Sequence, residues 1–263
     1  MSLFRSVMTV LPLPAWIGAV LLVDALPLSG GTAAEVGRQL VLGLATWAVL
    51  LLALRGETRL VRTQTAVVVV LATIVEYTFS PLLQAYTYRI GTVPLFVPPG
   101  HGLVYLAAWR IGHTPFVADR LRATATLAGV GCSAWAVVAL VGPRHDVLGA
   151  FWGLCLLGFL VRGRQRGLYV GAFLVVSALE LAGTSLGTWT WAAVDPVLGV
   201  IGQGNPPSGA AGGYGWFDLY AGLLAPRLLS LGAPSSTSST ASCSRPLVAT
   251  AEPERQPSTP SSP

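Results

Sequence analysis

Lysine is absent from this chain, and charge of either sign is scarce: 10% of its 263 residues are Asp, Glu, Lys or Arg. A soluble domain carries about 25%, so a water-facing surface of ordinary composition cannot be assembled from this sequence. The missing lysine carries no chemistry. Cysteine is almost as rare. Cys132 and Cys155 lie in apolar runs and Cys243 in a polar tail, with no CxxC or Cys/His spacing. That pattern supports neither a zinc site nor a disulfide framework, and no metal or cofactor is called for.

What the sequence does have is long apolar runs. Hydrophobic residues make up 53% of the chain and the mean hydropathy is +0.65. The runs are near the ~20 residues that cross a bilayer core of about 30 Å. Eight candidate spans are read at 9–28, 36–54, 65–84, 93–110, 122–142, 147–161, 168–187 and 209–229. The expected fold is all-α, a polytopic transmembrane helical bundle over 1–230. The sixth span is short, and the fourth and eighth are expected to be interrupted by proline or glycine. Pro12 and Pro14 break the first run, and no small-residue cleavage site follows, so it reads as a retained helix; its removal would leave seven spans.

The basic residues are all arginine and number 16. One set of loops holds Arg55, Arg59, Arg62, Arg110, Arg120, Arg122, Arg162, Arg164 and Arg166, with Arg5 and Arg227 on the same side. The opposite loops hold only Arg38, Arg89 and Arg144. By the positive-inside rule both termini of a multi-pass cell-membrane protein are cytoplasmic. Arginine clustered between apolar runs is a topology signal rather than a phosphate-binding face, which argues against nucleic acid as a partner and for membrane lipids. Beyond Leu231 the composition turns to Ser, Thr, Pro and Ala, and residues 231–263 are expected to form a disordered cytoplasmic tail.

A pattern recurs in the third and seventh spans. Glu76 is followed by Tyr86-Thr87-Tyr88 and a turn with Pro98-Pro99-Gly100; Glu180 is followed by Trp189-Thr190-Trp191 and a turn with Pro206-Pro207. Four spans separate the copies, so the halves, about 1–113 and 114–230, would form a parallel repeat about an axis along the membrane normal. A carboxylate at bilayer depth costs about 2.5–3.5 kcal/mol on insertion scales. Glu76, Glu180 and Asp218 are therefore functional candidates by default, the plain alternative being buried contacts that lock helices together. His101 could donate a proton or bond Glu76, or serve only as a structural donor. Arg89 could bind an anionic head group, pair with Asp195 or a glutamate, or reach the interface as a snorkelling side chain. Trp189 and Trp191 also suit interfacial anchoring. Asn205 lies in the Gly202–Gly209 run, which reads as a structured loop and lacks the GxxxxGK[ST] of a phosphate-binding loop.

The stretch Glu76, Tyr86, Tyr88, Gly91 and Val93-Pro94-Leu95-Phe96-Val97-Pro98 resembles the membrane carotenoid-biosynthesis hydratases of the bacterioruberin pathway, over about a tenth of the chain. The second copy and His101 depart from that family's pattern. The resemblance implies isoprenoid or carotenoid chemistry: a hydratase or cyclase that protonates a polyene double bond. A glutamate, Glu76 or Glu180, would be the acid, and Tyr86, Tyr88, Trp189 and Trp191 would line the substrate path. The competing readings are a proton- or ion-coupled transporter of a small solute and a membrane scaffold without chemistry.

Overall fold

The computed structural model describes residues 10–231. The polar tail, Cys243 and Arg5 lie outside the described residues. Nine α-helices run among the described residues: α1 (Pro12–Ala25), α2 (Gly31–Arg55), α3 (Arg59–Tyr77), α4 (Val97–Gly112), α5 (Pro115–Asp119), α6 (Leu121–Val141), α7 (Val147–Arg162), α8 (Arg166–Ser185) and α9 (Ala210–Leu231). Each of the eight apolar runs coincides with one of these helices, and the short α5 is additional. Four segments, Gly31–Arg55, Arg59–Leu82, Leu121–Val141 and Arg166–Ser185, are long and apolar enough to cross a membrane. α1 and α7 are shorter apolar helices. This all-α architecture is consistent with residence in a membrane.

Local chemistry sets the helix ends. The Thr58 hydroxyl accepts from the Val61 N–H at the start of α3, and Asp146 accepts from the Gly149 N–H at the start of α7; both are standard caps. Pro12 in α1 and Pro98 in α4 occupy the first turn, where a missing N–H costs nothing. The interruption expected in the fourth span is therefore absent: Pro94 lies before the helix, and α4 begins at Val97 and runs unbroken. α5 arises from the same rule, with Thr114 as cap and Pro115 in the first turn.

Exposure is inverted relative to a soluble protein. Leu40, Val41, Leu44 and Leu51 on α2, and Leu127, Val130, Val137 and Val138 on α6, are each more than half exposed. Glu76, His101, Glu180, Asp218 and Gln64 are buried. Apolar side chains outside and charge-capable ones inside are what a lipid solvent selects.

α4 is the most enclosed helix. It packs against α8, α3, α1 and α2, while α9 packs against α3, α7 and α8. A Cβ at Gly171 would overlap the Ala108 carbonyl, and one at Gly112 would overlap the Gly167 backbone. Small residues thus let α4 and α8 approach backbone to backbone, the usual device where lipid removes the hydrophobic drive for helix pairing.

Past Tyr77 the chain makes a π-helical turn, Thr78–Leu82, and then β1 (Tyr86–Tyr88). After α8 it makes β2 (Trp189–Trp191). The strands pair antiparallel, Tyr86 opposite Trp191, Thr87 opposite Thr190 and Tyr88 opposite Trp189. A residue in the left-handed region stands two positions before each triplet: Gln84 at φ 57° and Gly187 at φ 67°.

Candidate functional site

Glu76 lies in the last turn of α3. Strand alternation puts Tyr86 and Tyr88 on one face of β1 and leaves Thr87 on the other. Both phenols donate to Glu76 Oε2, at 2.9 Å from Tyr86 and 2.7 Å from Tyr88. His101, in the first turns of α4, brings Nε2 to 2.8 Å from Oε1. Both carboxylate oxygens are thus engaged, which is how a buried acid offsets its desolvation. Burial, with Glu76 alongside, pushes both phenols up from their ordinary range, so Tyr86 and Tyr88 are neutral donors.

The second glutamate is held by a different set of donors. Glu180 Oε2 accepts the indole N–H groups of Trp189 at 3.0 Å and Trp191 at 3.1 Å. These two indoles point at a carboxylate, so a purely interfacial role for them is not what the structure shows. The two boxes abut across the ladder, with Tyr86 and Trp191 ring centroids 4.6 Å apart and Tyr88 and Trp189 6.2 Å apart.

The other candidates fall around these boxes. Asn205 Oδ1 accepts the Trp191 N–H at 2.9 Å, and Arg144 donates to the Trp191 carbonyl at 2.9 Å. The loop containing Asn205 is fastened by Asp146, whose carboxylate takes the N–H groups of Gly149, Gly204 and Ser208. Arg89 pairs with neither Asp195 nor a glutamate. It bonds Asp24, with Nη2 at 2.9 Å from Oδ2. Asp195 is occupied by the Val197 and Leu198 N–H groups of its own turn. Asp24 also takes the Gln39 side chain, and Arg38 donates to the backbone carbonyls of Asp24 and Leu26. Arg38, Arg89 and Arg144, the arginines of the sparsely charged side, all serve as internal clamps.

A narrow cavity of about 60 Å³ lies beside the first box. Its walls are Trp16, Ile17, Val20 and Leu21 of α1, Phe96, Val97, His101 and Val104 around α4, and Leu179, Trp189 and Tyr214. Neither glutamate reaches this lining. His101 does reach it, and each carboxylate is turned toward the donors of its own triplet. Asp218 is brought near this group but not into it: it lines a second, much smaller cavity that shares His101, Val104 and Tyr214 with the first.

Sequence reasoning missed Asp24, Asp146, Gln203 and Tyr214. Gln203 is fully buried and donates to the Ala85 carbonyl at 3.2 Å. Tyr214 stacks on His101 at 5.2 Å and borders both cavities. Its position one turn before Asp218, on the same helix face, was the available signal. Among the described residues, no three His, Cys, Asp or Glu side chains are grouped to hold a metal ion. No protein-family model, curated protein or solved structure matches the chain.

Proposed function

We propose that the chain is a multi-pass membrane enzyme that performs proton-transfer chemistry on an apolar, isoprenoid-type substrate, with the Glu76–His101 pair at its centre. The observation that carries this reading is the placement of His101. It is the one imidazole in a cavity wall that is, apart from Thr46, aromatic and aliphatic, and Glu76 holds it from behind at 2.8 Å. A carboxylate that fixes an imidazole and balances its charge is the arrangement general acid–base catalysis uses.

The chemistry balances for hydration of a terminal double bond. In the imidazolium form of His101, Nδ1, the ring nitrogen that Glu76 does not hold, gives its proton to one alkene carbon, leaving a carbocation on the other. Water adds there, and its surplus proton returns to the imidazole. The faces of Trp16 and Trp189 stabilise the cation by cation–π attraction, and Glu180 adds negative potential from behind Trp189. The narrow cavity admits the end of a chain, and the remainder stays in lipid.

The same proposal includes the topology: eight crossings, both termini cytoplasmic, and two parallel halves. Several features support the halves. α4 packs on α8 as α9 packs on α3. Left-handed residues precede both triplets at the same offset, and the triplets pair in the register a two-fold axis between Thr87 and Thr190 requires.

Mass-spectrometric profiles of lipid and pigment extracts test the enzyme reading in cells lacking the gene, carrying it, or carrying His101→Gln. We expect a species that disappears on deletion and stays absent with the variant. Identical profiles in all three, at equal protein levels, would remove the enzyme and favour proton-coupled transport, to be read as solute uptake in proteoliposomes.

A further inference from the structure

The arginine-rich end of the bundle is balanced in one place and unbalanced in another. Near the turn from α2 to α3 the cations are answered from within: Arg110 meets Glu57 at 2.9 Å, and Arg62 donates to the Leu54 and Arg55 carbonyls. Between Arg120 and Arg166 the only acid is Asp146. It lies at the opposite end of α7 and is taken up by three N–H groups. Arg162, Arg164 and Arg166, in the turn from α7 to α8, therefore have no acid in their own segment. Cations gathered without a protein counterion favour an anion from outside.

Arg166 is set apart by its placement. It opens α8, where the helix dipole already favours negative charge, so a cation there does nothing for the helix. Its Nε donates to the Leu160 carbonyl, and no carboxylate pairs with it among the described residues. That bond fixes the guanidinium and leaves its two Nη groups for another acceptor. Arg166 also lines a groove of about 710 Å³ between α6 and α7. The walls are Val130, Val137 and Val138 of α6 and Leu157, Leu160 and Val161 of α7. On the floor, the Ser133 hydroxyl donates to the Gly129 carbonyl at 2.8 Å and so needs no further partner. From Ala125 to Val138 the groove follows α6 for about 20 Å. One leaflet of hydrocarbon is about 15 Å deep, half the core of ~30 Å. An apolar trough of leaflet depth, ending at a positioned guanidinium, matches a single lipid in shape and charge. A second groove, of about 450 Å³ beside Phe116 and Phe173, has no charged residue in its lining and no such preference.

We infer that the groove between α6 and α7 is a binding site for an anionic phospholipid of the leaflet at the arginine-rich end. One acyl chain lies along α6, and the head-group phosphate accepts two parallel N–H bonds from Arg166. Arg162 and Arg164, both exposed, add attraction from the adjoining turn. A zwitterionic lipid offers the same phosphate but brings its own cation toward these arginines, so net charge decides the preference. The inference goes beyond the proton-transfer reading and needs only that the chain resides in a membrane.

Native mass spectrometry of the full chain tests it, after release from nanodiscs holding equal phosphatidylglycerol and phosphatidylcholine with matched acyl chains. Wild type should retain phosphatidylglycerol over phosphatidylcholine by about tenfold, the effect of one charge-assisted contact. Arg166→Gln should abolish the preference, and Arg166→Lys should keep part of it. Ala134→Phe fills the groove from an exposed position and leaves every charge in place, so it should lose the retained lipid. Arg59→Gln removes an exposed arginine at the same end but outside the groove, and should behave as wild type. Retention that ignores the head group, or a preference that survives both Arg166→Gln and Ala134→Phe, would overturn the site. Equal losses with Arg166→Gln and Arg59→Gln would reduce it to diffuse surface charge and overturn it too. A dimer that Ala134→Phe dissociates would give the groove to a second copy of the chain, again against the lipid.

Discussion

The two glutamate boxes use the same scaffold for different ends. Around Glu76 the donors are phenols and an imidazole, which exchange protons and leave a neutral or charged partner behind. Around Glu180 they are two indoles, which donate and never accept. The first box can therefore pass a proton on, while the second can only hold charge in place. Each glutamate has a partner in the wall of the apolar cavity, but for Glu76 it is the imidazole of His101 and for Glu180 the indole of Trp189. The comparison teaches that two glutamates facing paired strands on one ladder differ in the donors they are given.

The sharpest way to break this asymmetry is to treat the two acids alike. Glu76→Gln should lower product formation about 10²–10⁴-fold, the range for loss of a general acid–base group. Glu180→Gln should cost about tenfold or less, since it removes only negative potential. Equal losses in extract profiles would put both acids in one catalytic role.

The clamps differ in a related way. Arg89 meets Asp24, which is fully buried, whereas Arg144 binds only a backbone carbonyl of the second box. Arg89→Ala should destabilise by about 3–5 kcal/mol because it strands a buried carboxylate. Arg144→Ala should cost about 1 kcal/mol. Thermal unfolding in nanodiscs ranks the two, and an inverted order would show that the Asp24 pair contributes little.

A Cβ at Gly183 would strike the Trp189 ring, while one at Gly100 meets nothing within 4 Å. Gly183→Ala should cost about 1–3 kcal/mol by overpacking and disturb the second box alone. Gly100→Ala should be neutral or stabilise by up to about 1 kcal/mol. The smallest effect expected in the first box comes from Tyr88→Phe, about 1 kcal/mol for one buried hydrogen bond between strand and helix. Tyr86 still donates to the same oxygen.

The helices and both glutamates were legible in the sequence because their signals are local: apolar runs of spanning length, a glutamate late in two of them, and an aromatic triplet starting nine or ten residues on. The partners of Arg89 and of the loop around Asn205 were not, because those bonds join distant segments. Asp24 and Asp146 look like ordinary helix-end residues, and only folding brings Arg89 to one and Gly204 to the other. That neither glutamate meets the cavity was also hidden. Strand alternation turns both carboxyls toward their triplets, and no periodicity shows that His101 is left at the wall. Prolines misled in the fourth span because a first-turn proline and a helix-breaking one look alike without the helix start.

The most direct test of the account is to measure product in extracts from cells carrying Glu76→Gln, His101→Gln or Glu180→Gln at matched protein levels. The account predicts that the first two abolish the same species and that Glu180→Gln retains a measurable fraction of it. Undiminished product with Glu76→Gln and His101→Gln would contradict a proton-transfer centre at this pair.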